Sequence, residues 1–79
     1  MINKIRVLIA DDHAIIRHGI KQILSDTDDM VLVGEADGGV QVLHLLRSIE
    51  SDVVLLDISM PDRNGIDALN MVRKEFPHL

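Results

Sequence analysis

The sequence contains no cysteine, no tryptophan and no tyrosine, and Phe76 is its one aromatic residue. Without cysteine the chain can form neither disulfides nor thiolate metal sites, and its composition fits the reducing cytoplasm. Positive charge is also scarce, because eight Lys and Arg residues stand against 13 Asp and Glu residues, for a formal net charge of -5. Nucleic-acid-binding surfaces need basic patches and often stacking aromatics. We therefore expect that this segment does not bind nucleic acid.

Long hydrophobic runs are absent as well. A membrane-spanning helix needs roughly 18 or more consecutive apolar residues, and no stretch approaches that length. Lys4 and Arg6 interrupt the N-terminal stretch where a signal peptide would be apolar. We expect no membrane segment and a cytoplasmic location. The remaining composition, 47% hydrophobic and 27% charged over 79 residues, is that of one small globular domain.

Three short apolar runs are typical of strands in a parallel sheet, namely Ile5–Ala10, Met30–Ala36 and Val53–Leu56. The first and third runs have the pattern of strands buried on both faces, and each stops abruptly at a carboxylate. The second becomes more polar toward its end, which favours an edge position. Their length and β-branched content favour strands over short buried helices.

A segment with apolar residues at helical spacing follows each strand. The expected buried faces consist of Ile15, Ile16, Ile20, Ile23 and Leu24 in the first helix, Val42, Leu43, Leu45, Leu46 and Ile49 in the second, and Ile66, Leu69, Val72 and Phe76 in the third. Asp12, Asp37 and Asn64 are predicted to cap the three helices, and Pro77 to end the last one. Strands and helices alternate three times with short connections, which predicts an α/β fold with parallel strands and right-handed crossovers.

Carboxylates follow the first and third strands. Asp11 and Asp12 come directly after the first strand, and Asp57 comes directly after the third. Strands of a parallel sheet point the same way, so these residues lie at one carboxyl edge, where ligands bind in open α/β sheets. If the two strands are neighbours, three carboxylates converge, and a cation is needed to offset their repulsion. Mg²⁺ fits best, because it is held by carboxylates, waters and phosphate oxygens.

This arrangement predicts phosphoryl transfer. A carboxylate can act as the nucleophile and form an aspartyl phosphate, while a metal ion neutralises charge. Asp57, alone at its strand end, is the better candidate nucleophile, and the pair at 11 and 12 is better placed to hold metal. Read alone, Asp11 and Asp12 would more often be turn and cap residues. The matching position of Asp57 favours a shared site.

The four histidines are expected to be surface residues rather than metal ligands. His13 and His18 are five positions apart, which places them off a common helical face, and His44 and His78 belong to other elements. Since cysteine is also absent, the chain offers no ligand set that zinc would prefer.

Three motifs contain or follow the acidic residues: IADDH at residues 9–13, DISMP at 57–61 and NGID at 64–67. Together, at this spacing and over essentially the whole chain, they resemble the receiver domain of response regulators. The acidic pair and His13, followed by Arg17, Gly19 and the Ile23-Leu24 pair, resemble more narrowly the receivers that precede a helix-turn-helix of the nitrate-regulator (LuxR) type. The resemblance implies a flavodoxin-like fold, here three parallel strands in the order 2-1-3 with three helices.

The resemblance also implies a role for each site residue. Asp57 accepts a phosphoryl group from a sensor histidine kinase and shares in metal binding, Asp12 coordinates Mg²⁺ directly, and Asp11 supports the ion, often through water. The backbone carbonyl of Ser59 supplies the remaining protein ligand. Such a domain is not an enzyme toward other substrates and at most catalyses its own phosphorylation and dephosphorylation. Its parent is a transcriptional regulator that binds DNA through a C-terminal helix-turn-helix.

Against that family, residues 1–79 are expected to form a partial receiver domain. The order β-α-β-α-β-α lacks the last two strand-helix units, which carry the Ser or Thr and the Lys that contact the phosphoryl group. The third strand is then an uncovered edge, and such edges pair with other chains. An alternative therefore stays open, a signalling-incompetent fragment that forms a homo-oligomer through this edge. A third possibility, a phosphatase of the haloacid-dehalogenase type, normally shows a second Asp two residues after the nucleophile, where this chain has Ser59.

Overall fold

Strands and helices alternate along the chain in the computed structural model, which describes residues 3–57 and 65–79. The elements are β1 (Ile5–Ala10), α1 (Ala14–Ser25), β2 (Met30–Ala36), α2 (Gly39–Ser48), β3 (Val53–Leu56) and α3 (Gly65–Glu75). All three strands coincide with the predicted apolar runs, which are short, rich in branched side chains and closed by polar residues. Among these residues, no helix combines the length and the apolar character needed to cross a membrane.

The three strands form one parallel sheet in the order β2-β1-β3. The central strand, β1, pairs residues 5–10 with residues 30–36 of β2, and residues 7–10 with residues 53–56 of β3. The α/β class and the 2-1-3 order are confirmed, and β2 lies at an edge as its polar end suggested. Because β1 and β3 are neighbours, the residues that follow them emerge side by side.

Two apolar layers cover the two faces of β1. Successive strand residues point to opposite faces, so Leu8 and Ala10 face one layer while Val7 and Ile9 face the other. The first layer consists of Leu8, Ala10, Ala36, Val42, Leu43, Leu46 and Val72, with Leu45, Val54, Leu56, Met71 and Phe76 partly buried against it. The second consists of Val7, Ile9 and Leu24, with Ile20, Met30 and Leu32 partly buried against it. The β1 strand is the buried centre of the fold.

On the α1 side of the sheet, the predicted buried face is wrong in part. Leu24 is buried and Ile20 is half-buried, but Ile15, Ile16 and Ile23 are 85%, 48% and 66% exposed. Helical spacing identifies residues that could face a core. Among the described residues, the layer beneath α1 comes from β1 and β2, and it is too narrow to cover so wide an apolar stripe.

On the other side of the sheet, the prediction for α2 is confirmed except at its end, and that for α3 is partly wrong. In α2, Val42, Leu43 and Leu46 are buried and Leu45 is partly buried, whereas Ile49 follows the helix as its C-cap and is half-buried. In α3, Val72 is buried and Phe76, just after the helix, is partly buried as predicted, but Ile66 and Leu69 are 54% and 39% exposed and Ala68 is buried in their place. Ala68 and Val72 are four residues apart and therefore share one face of α3, and Ile66 lies off that face. The helix ends at Glu75, shortly before Pro77 as predicted.

The third strand is not buried on both faces as predicted. Val53 and Leu55 are 39% and 41% exposed, whereas Val54 and Leu56 pack against the α2 and α3 side. Within the described segments, β3 pairs with β1 on one side and with no strand on the other. An apolar run shows that a strand can be buried on both faces. Whether it is buried depends on other segments that pack against those faces.

The starts of α1 and α2 also differ from prediction. His13 and Gly38 occupy the N-cap positions, and neither start has a side-chain capping hydrogen bond. Asp12 is therefore not a cap, and its carboxylate lies in the acidic cluster instead. At α2, Asp37 was predicted to accept a hydrogen bond from the helix through its side chain. Instead, its backbone N–H donates to Oε1 of Gln41 in the helix, at 2.9 Å. The third predicted cap, Asn64, lies outside the described residues.

Candidate functional site

Three carboxylates meet at the carboxyl edge of the sheet. Asp11 and Asp12 follow β1, and Asp57 follows β3, where its N–H donates to the carbonyl of Ala10 at 2.8 Å. Side-chain ligand atoms of Asp11, Asp12, His13 and Asp57 all lie within 4.8 Å of one another. The three aspartate side chains are 14%, 26% and 19% exposed, in chain order. The geometry brings the three predicted acidic residues together in a partly shielded place.

The imidazole of His13 lies among these carboxylates. Its Nδ1 is 2.9 Å from Oδ1 of Asp11, 2.8 Å from Oδ1 of Asp12 and 3.7 Å from Oδ2 of Asp57. The hydrogen bond to Asp11 and the charge of Asp12 raise the pKa of the His13 imidazole above its usual value. His13 is a surface residue as expected, but its contacts with the cluster were not foreseen. Its position directly after the acidic pair is the signal that could have revealed them.

One oxygen of Asp12 is left without a hydrogen bond. Oδ1 of Asp12 is buried, and although Nδ1 of His13 is 2.8 Å away, the contact does not have hydrogen-bond geometry. A buried unsatisfied oxygen is costly, and a carboxylate oxygen is a preferred ligand of Mg²⁺. This oxygen without a hydrogen bond, inside a cluster made mostly of oxygen donors, fits a site for a hard divalent cation.

Asp11 is held by several contacts of its own. Its N–H donates to the carbonyl of Ala36 at 3.0 Å, and its own carbonyl accepts a hydrogen bond from Nη1 of Arg17 at 2.6 Å. Oδ1 of Asp11 accepts the backbone N–H of His13 at 2.8 Å. These contacts fix Asp11 between β2 and α1 and occupy one of its carboxylate oxygens, which suits a supporting role better than direct coordination.

The last predicted ligand, the carbonyl of Ser59, lies outside the described residues. Within the described part of the chain, the donor set is therefore three carboxylates and one imidazole. Oxygen donors predominate, which favours Mg²⁺ over metals that prefer nitrogen or sulfur. Of the three aspartates, Asp57 follows β3, whereas Asp11 and Asp12 follow the neighbouring strand β1.

Comparison with known proteins gives a consistent picture. The family model of the response regulator receiver domain matches residues 7–79. The nitrate/nitrite response regulator protein NarL of Escherichia coli K12 is 41% identical over 69 residues, which cover 87% of this chain and 32% of NarL. The response regulator GacA of Pseudomonas viridiflava is 40% identical over 75 residues, covering 95% of this chain and 35% of GacA. The chain thus spans about a third of the length of these relatives.

Solved structures agree with the sequence comparisons. The response regulator domain of Thermotoga maritima CheB superposes with a TM-score of 0.90 at 39% identity, over 95% of this chain and 56% of that one. The isolated REC domain of RcsB from Salmonella enterica serovar Typhimurium, solved with the phosphomimetic BeF₃⁻, superposes with a TM-score of 0.91 at 31% identity, over 98% and 58%. The fold is that of these flavodoxin-like receivers. This chain therefore belongs to the response regulator receiver family of two-component systems.

Proposed function

We propose that this chain accepts a phosphoryl group on Asp57 from a sensor histidine kinase, with Mg²⁺ as the cofactor. The observation that carries the proposal is the approach of Asp57 to the acidic pair, with its Oδ2 at 3.7 Å from the same imidazole nitrogen that contacts Asp11 and Asp12. A nucleophilic carboxylate beside two further carboxylates is the constellation that metal-assisted phosphoryl transfer needs.

In the transfer, a carboxylate oxygen of Asp57 forms a bond to phosphorus as the bond between phosphorus and the donor nitrogen or oxygen breaks. The leaving group carries away the bonding electron pair and takes up a proton from solvent. Asp12, Asp57 and the carbonyl of Ser59 would hold Mg²⁺, with Asp11 in support. When bound, the ion would supply charge neutralisation for the phosphoryl oxygens. Toward other substrates, the segment has no proposed enzymatic activity.

A parent protein would convert this modification into gene regulation. The relatives NarL, GacA and RcsB are response regulators, and RcsB has been solved in complex with DNA. The net charge of -5 makes the present segment a poor ligand for DNA. DNA binding by a helix-turn-helix would therefore belong to a different part of such a parent, in the cytoplasm where its kinase presents the phosphoryl group.

The proposal is tested by the intact mass of the protein after incubation with acetyl phosphate, with and without Mg²⁺. We expect a gain of one phosphoryl group that requires Mg²⁺ and is lost in Asp57→Asn. The matched control is Asp28→Asn, which changes an exposed aspartate in the loop between α1 and β2 and should leave the gain intact. No gain in the wild type, or equal gain in Asp57→Asn, would rule out Asp57 as the acceptor.

A second candidate function, assembly without signalling, is favoured by the edge of β3 that no other strand of the described segments covers. Val53 and Leu55 expose apolar surface beside that edge, and Leu55 and Ile16 of α1 line one groove. Exposed strand edges with apolar side chains are templates for pairing with another chain. This candidate predicts a homo-oligomer whose mass, by light scattering, does not change with acetyl phosphate or Mg²⁺. Leu55→Lys should make it monomeric, and a monomeric wild type would exclude it.

A further inference from the structure

We propose that Arg17 is a positioning residue for the acidic site: its guanidinium fixes the peptide between Asp11 and Asp12 and thereby the direction from which Asp12 reaches the metal. This inference rests on the proposed function, since it takes the acidic cluster to be a Mg²⁺ site. It concerns a residue that is not itself one of the proposed ligands.

The guanidinium of Arg17 joins the loop after β1 to the end of β2. Its Nη1 donates to the carbonyl of Asp11 at 2.6 Å, and its Nε lies 3.4 Å from Oε1 of Glu35. The Arg17 side chain is 21% exposed, so water competes weakly for these contacts. The bond to the Asp11 carbonyl is charge-assisted, and such hydrogen bonds are among the stronger polar contacts in proteins.

These contacts close a ring around Asp11. The N–H of Asp11 donates to the carbonyl of Ala36, which directly follows Glu35 in β2. Arg17 extends from α1 to both Asp11 and Glu35, so the Asp11 backbone is held from both sides by regular secondary structure. The next residue is Asp12, whose buried Oδ1 has no hydrogen bond. If the Asp11 peptide turned, the Asp12 carboxylate would move with it.

The location of Arg17 argues for a specific role. It lies at the start of α1, where its N–H donates to the carbonyl of His13 at 3.1 Å. A cation near a helix N-terminus is opposed by the helix dipole, and the first turn of α1 has no acidic residue to offset it. The Asp11 carbonyl and Glu35 provide the offsetting interactions. Lysine would not replace arginine here, because one ammonium cannot reach two acceptors in the way a planar guanidinium does.

Glu35 is the fixed partner in this arrangement. Nζ of Lys21 lies 2.9 Å from Oε2 of Glu35, while Arg17 faces Oε1. The hydrogen bond from Lys21, followed by the nearby positive charges, lowers the pKa of Glu35 below its usual value. Glu35 therefore remains ionised at neutral pH and available to Arg17.

A positioning role and a purely electrostatic role predict opposite effects. As one more positive charge near three carboxylates, Arg17 would repel Mg²⁺, and its removal would tighten metal binding. As the residue that holds the Asp11 peptide, its removal would loosen the site and weaken metal binding. The sign of the change in affinity therefore decides between the two roles.

The experiment measures Mg²⁺ affinity by calorimetry, together with the backbone amide resonances of residues 11–13 without metal, in the 79-residue chain. We expect Arg17→Ala to weaken Mg²⁺ binding about tenfold, the typical cost of losing an outer partner of a metal ligand, and to shift the amide resonances of Asp12 and His13. Arg17→Lys, which keeps the charge, should recover only part of the affinity. The control is Arg73→Ala, which removes an exposed arginine from α3 and should leave the affinity close to that of the wild type.

Unchanged or tighter Mg²⁺ binding by Arg17→Ala would overturn the positioning role. If the wild type binds no Mg²⁺, the proposed function fails. The amide resonances without metal then test the role of Arg17 separately, because unshifted Asp12 and His13 resonances in Arg17→Ala would overturn the positioning role. If Arg17→Ala does not fold, Arg17→Lys replaces it in both measurements. Wild-type affinity and resonances in that variant would likewise overturn the positioning role.

Discussion

Nδ1 of His13 and Oδ1 of Asp12 lie 2.8 Å apart, and the same nitrogen is within reach of Asp11 and Asp57. The imidazole thus occupies space among the carboxylates that a shared cation would use. Mg²⁺ would bind either beside the His13 imidazole or in its place. Replacing the imidazole would break its contacts with the carboxylates, and their loss would weaken the net affinity for Mg²⁺. We therefore expect His13→Ala to bind Mg²⁺ several-fold more tightly than the wild type, as measured by calorimetry.

The control for this prediction is His18→Ala, which removes an exposed imidazole from α1 and should not change the affinity. Weaker Mg²⁺ binding by His13→Ala would contradict the displacement argument and would indicate that His13 is itself a ligand.

The sequence predicted the strands and the meeting of the carboxylates more accurately than the buried faces of the helices. A short apolar run that ends in Asp11 or Asp57 defines both a strand and its polar end, because the signal is local. Whether an apolar residue is covered depends on the partner surface, which is not local. Ile15 fits the helical stripe as well as Leu24 does, yet it is 85% exposed while Leu24 is buried.

The caps of α1 and α2 were mispredicted for a related reason. Asp12 has the residue type and the position of an N-cap, but its carboxylate lies in the acidic cluster at the end of the sheet. Capping propensity describes the local choice of a side chain, and a site formed by two strands competes with it. The contact of His13 with the cluster was missed because the spacing argument compared His13 only with the other histidines, whereas its shortest contacts are with the two aspartates that directly precede it.

The Arg6–Asp52 pair predicts a specific loss of stability in acid. Oδ2 of Asp52 accepts hydrogen bonds from the N–H and Nε of Arg6, at 2.8 and 3.1 Å, and these bonds lower the pKa of Asp52. Because the folded pKa lies below the unfolded value of about 3.9, the pair stabilises the fold above that pH. The stabilisation is lost as the pH falls through the folded pKa.

We therefore expect Asp52→Asn to be less stable than the wild type at neutral pH, and the difference in stability to shrink as the pH falls through the folded pKa of Asp52 and its carboxylate is protonated. Urea unfolding followed by far-UV circular dichroism at a series of pH values measures this. Asp28→Asn serves as the exposed control, and its curve should follow that of the wild type. Wild-type and Asp52→Asn curves that remain parallel down to low pH would contradict the prediction.

Gly19 is a position where a substitution should stabilise the fold. It lies inside α1, its φ is not positive, and a Cβ added there would meet no atom within 4 Å. Glycine within a helix costs about 0.5–1 kcal/mol relative to alanine. Gly19→Ala should raise the free energy of unfolding by about that amount in urea titrations.

The contrasting variant is Gly34→Val in β2. A Cβ added at Gly34 would lie 3.4 Å from Cδ1 of Leu8 and 3.6 Å from Cδ1 of Ile49. The two further methyl groups of valine would overpack this contact and should cost about 1–3 kcal/mol. Stabilisation by Gly34→Val, or destabilisation by Gly19→Ala, would show that the packing around these two glycines differs from the one described.

Leu8 and Leu55 lie on adjacent strands of the same sheet, but they should differ widely in their contribution to stability. Leu8 is 0% exposed in the layer under α2, whereas Leu55 is 41% exposed on the α1 side. Leu8→Ala leaves a cavity and should cost about 2–5 kcal/mol, enough to unfold much of a domain whose total stability is on the order of 5 kcal/mol. Leu55→Ala should cost about 1 kcal/mol or less, and Leu8→Met, which conserves volume, about 1.5 kcal/mol at most. Thermal unfolding followed by far-UV circular dichroism ranks the stability of the three variants. If Leu55→Ala lost as much stability as Leu8→Ala, the exposed face of β3 would have to be covered in solution. Pairing with a second copy of the chain would cover it in this way.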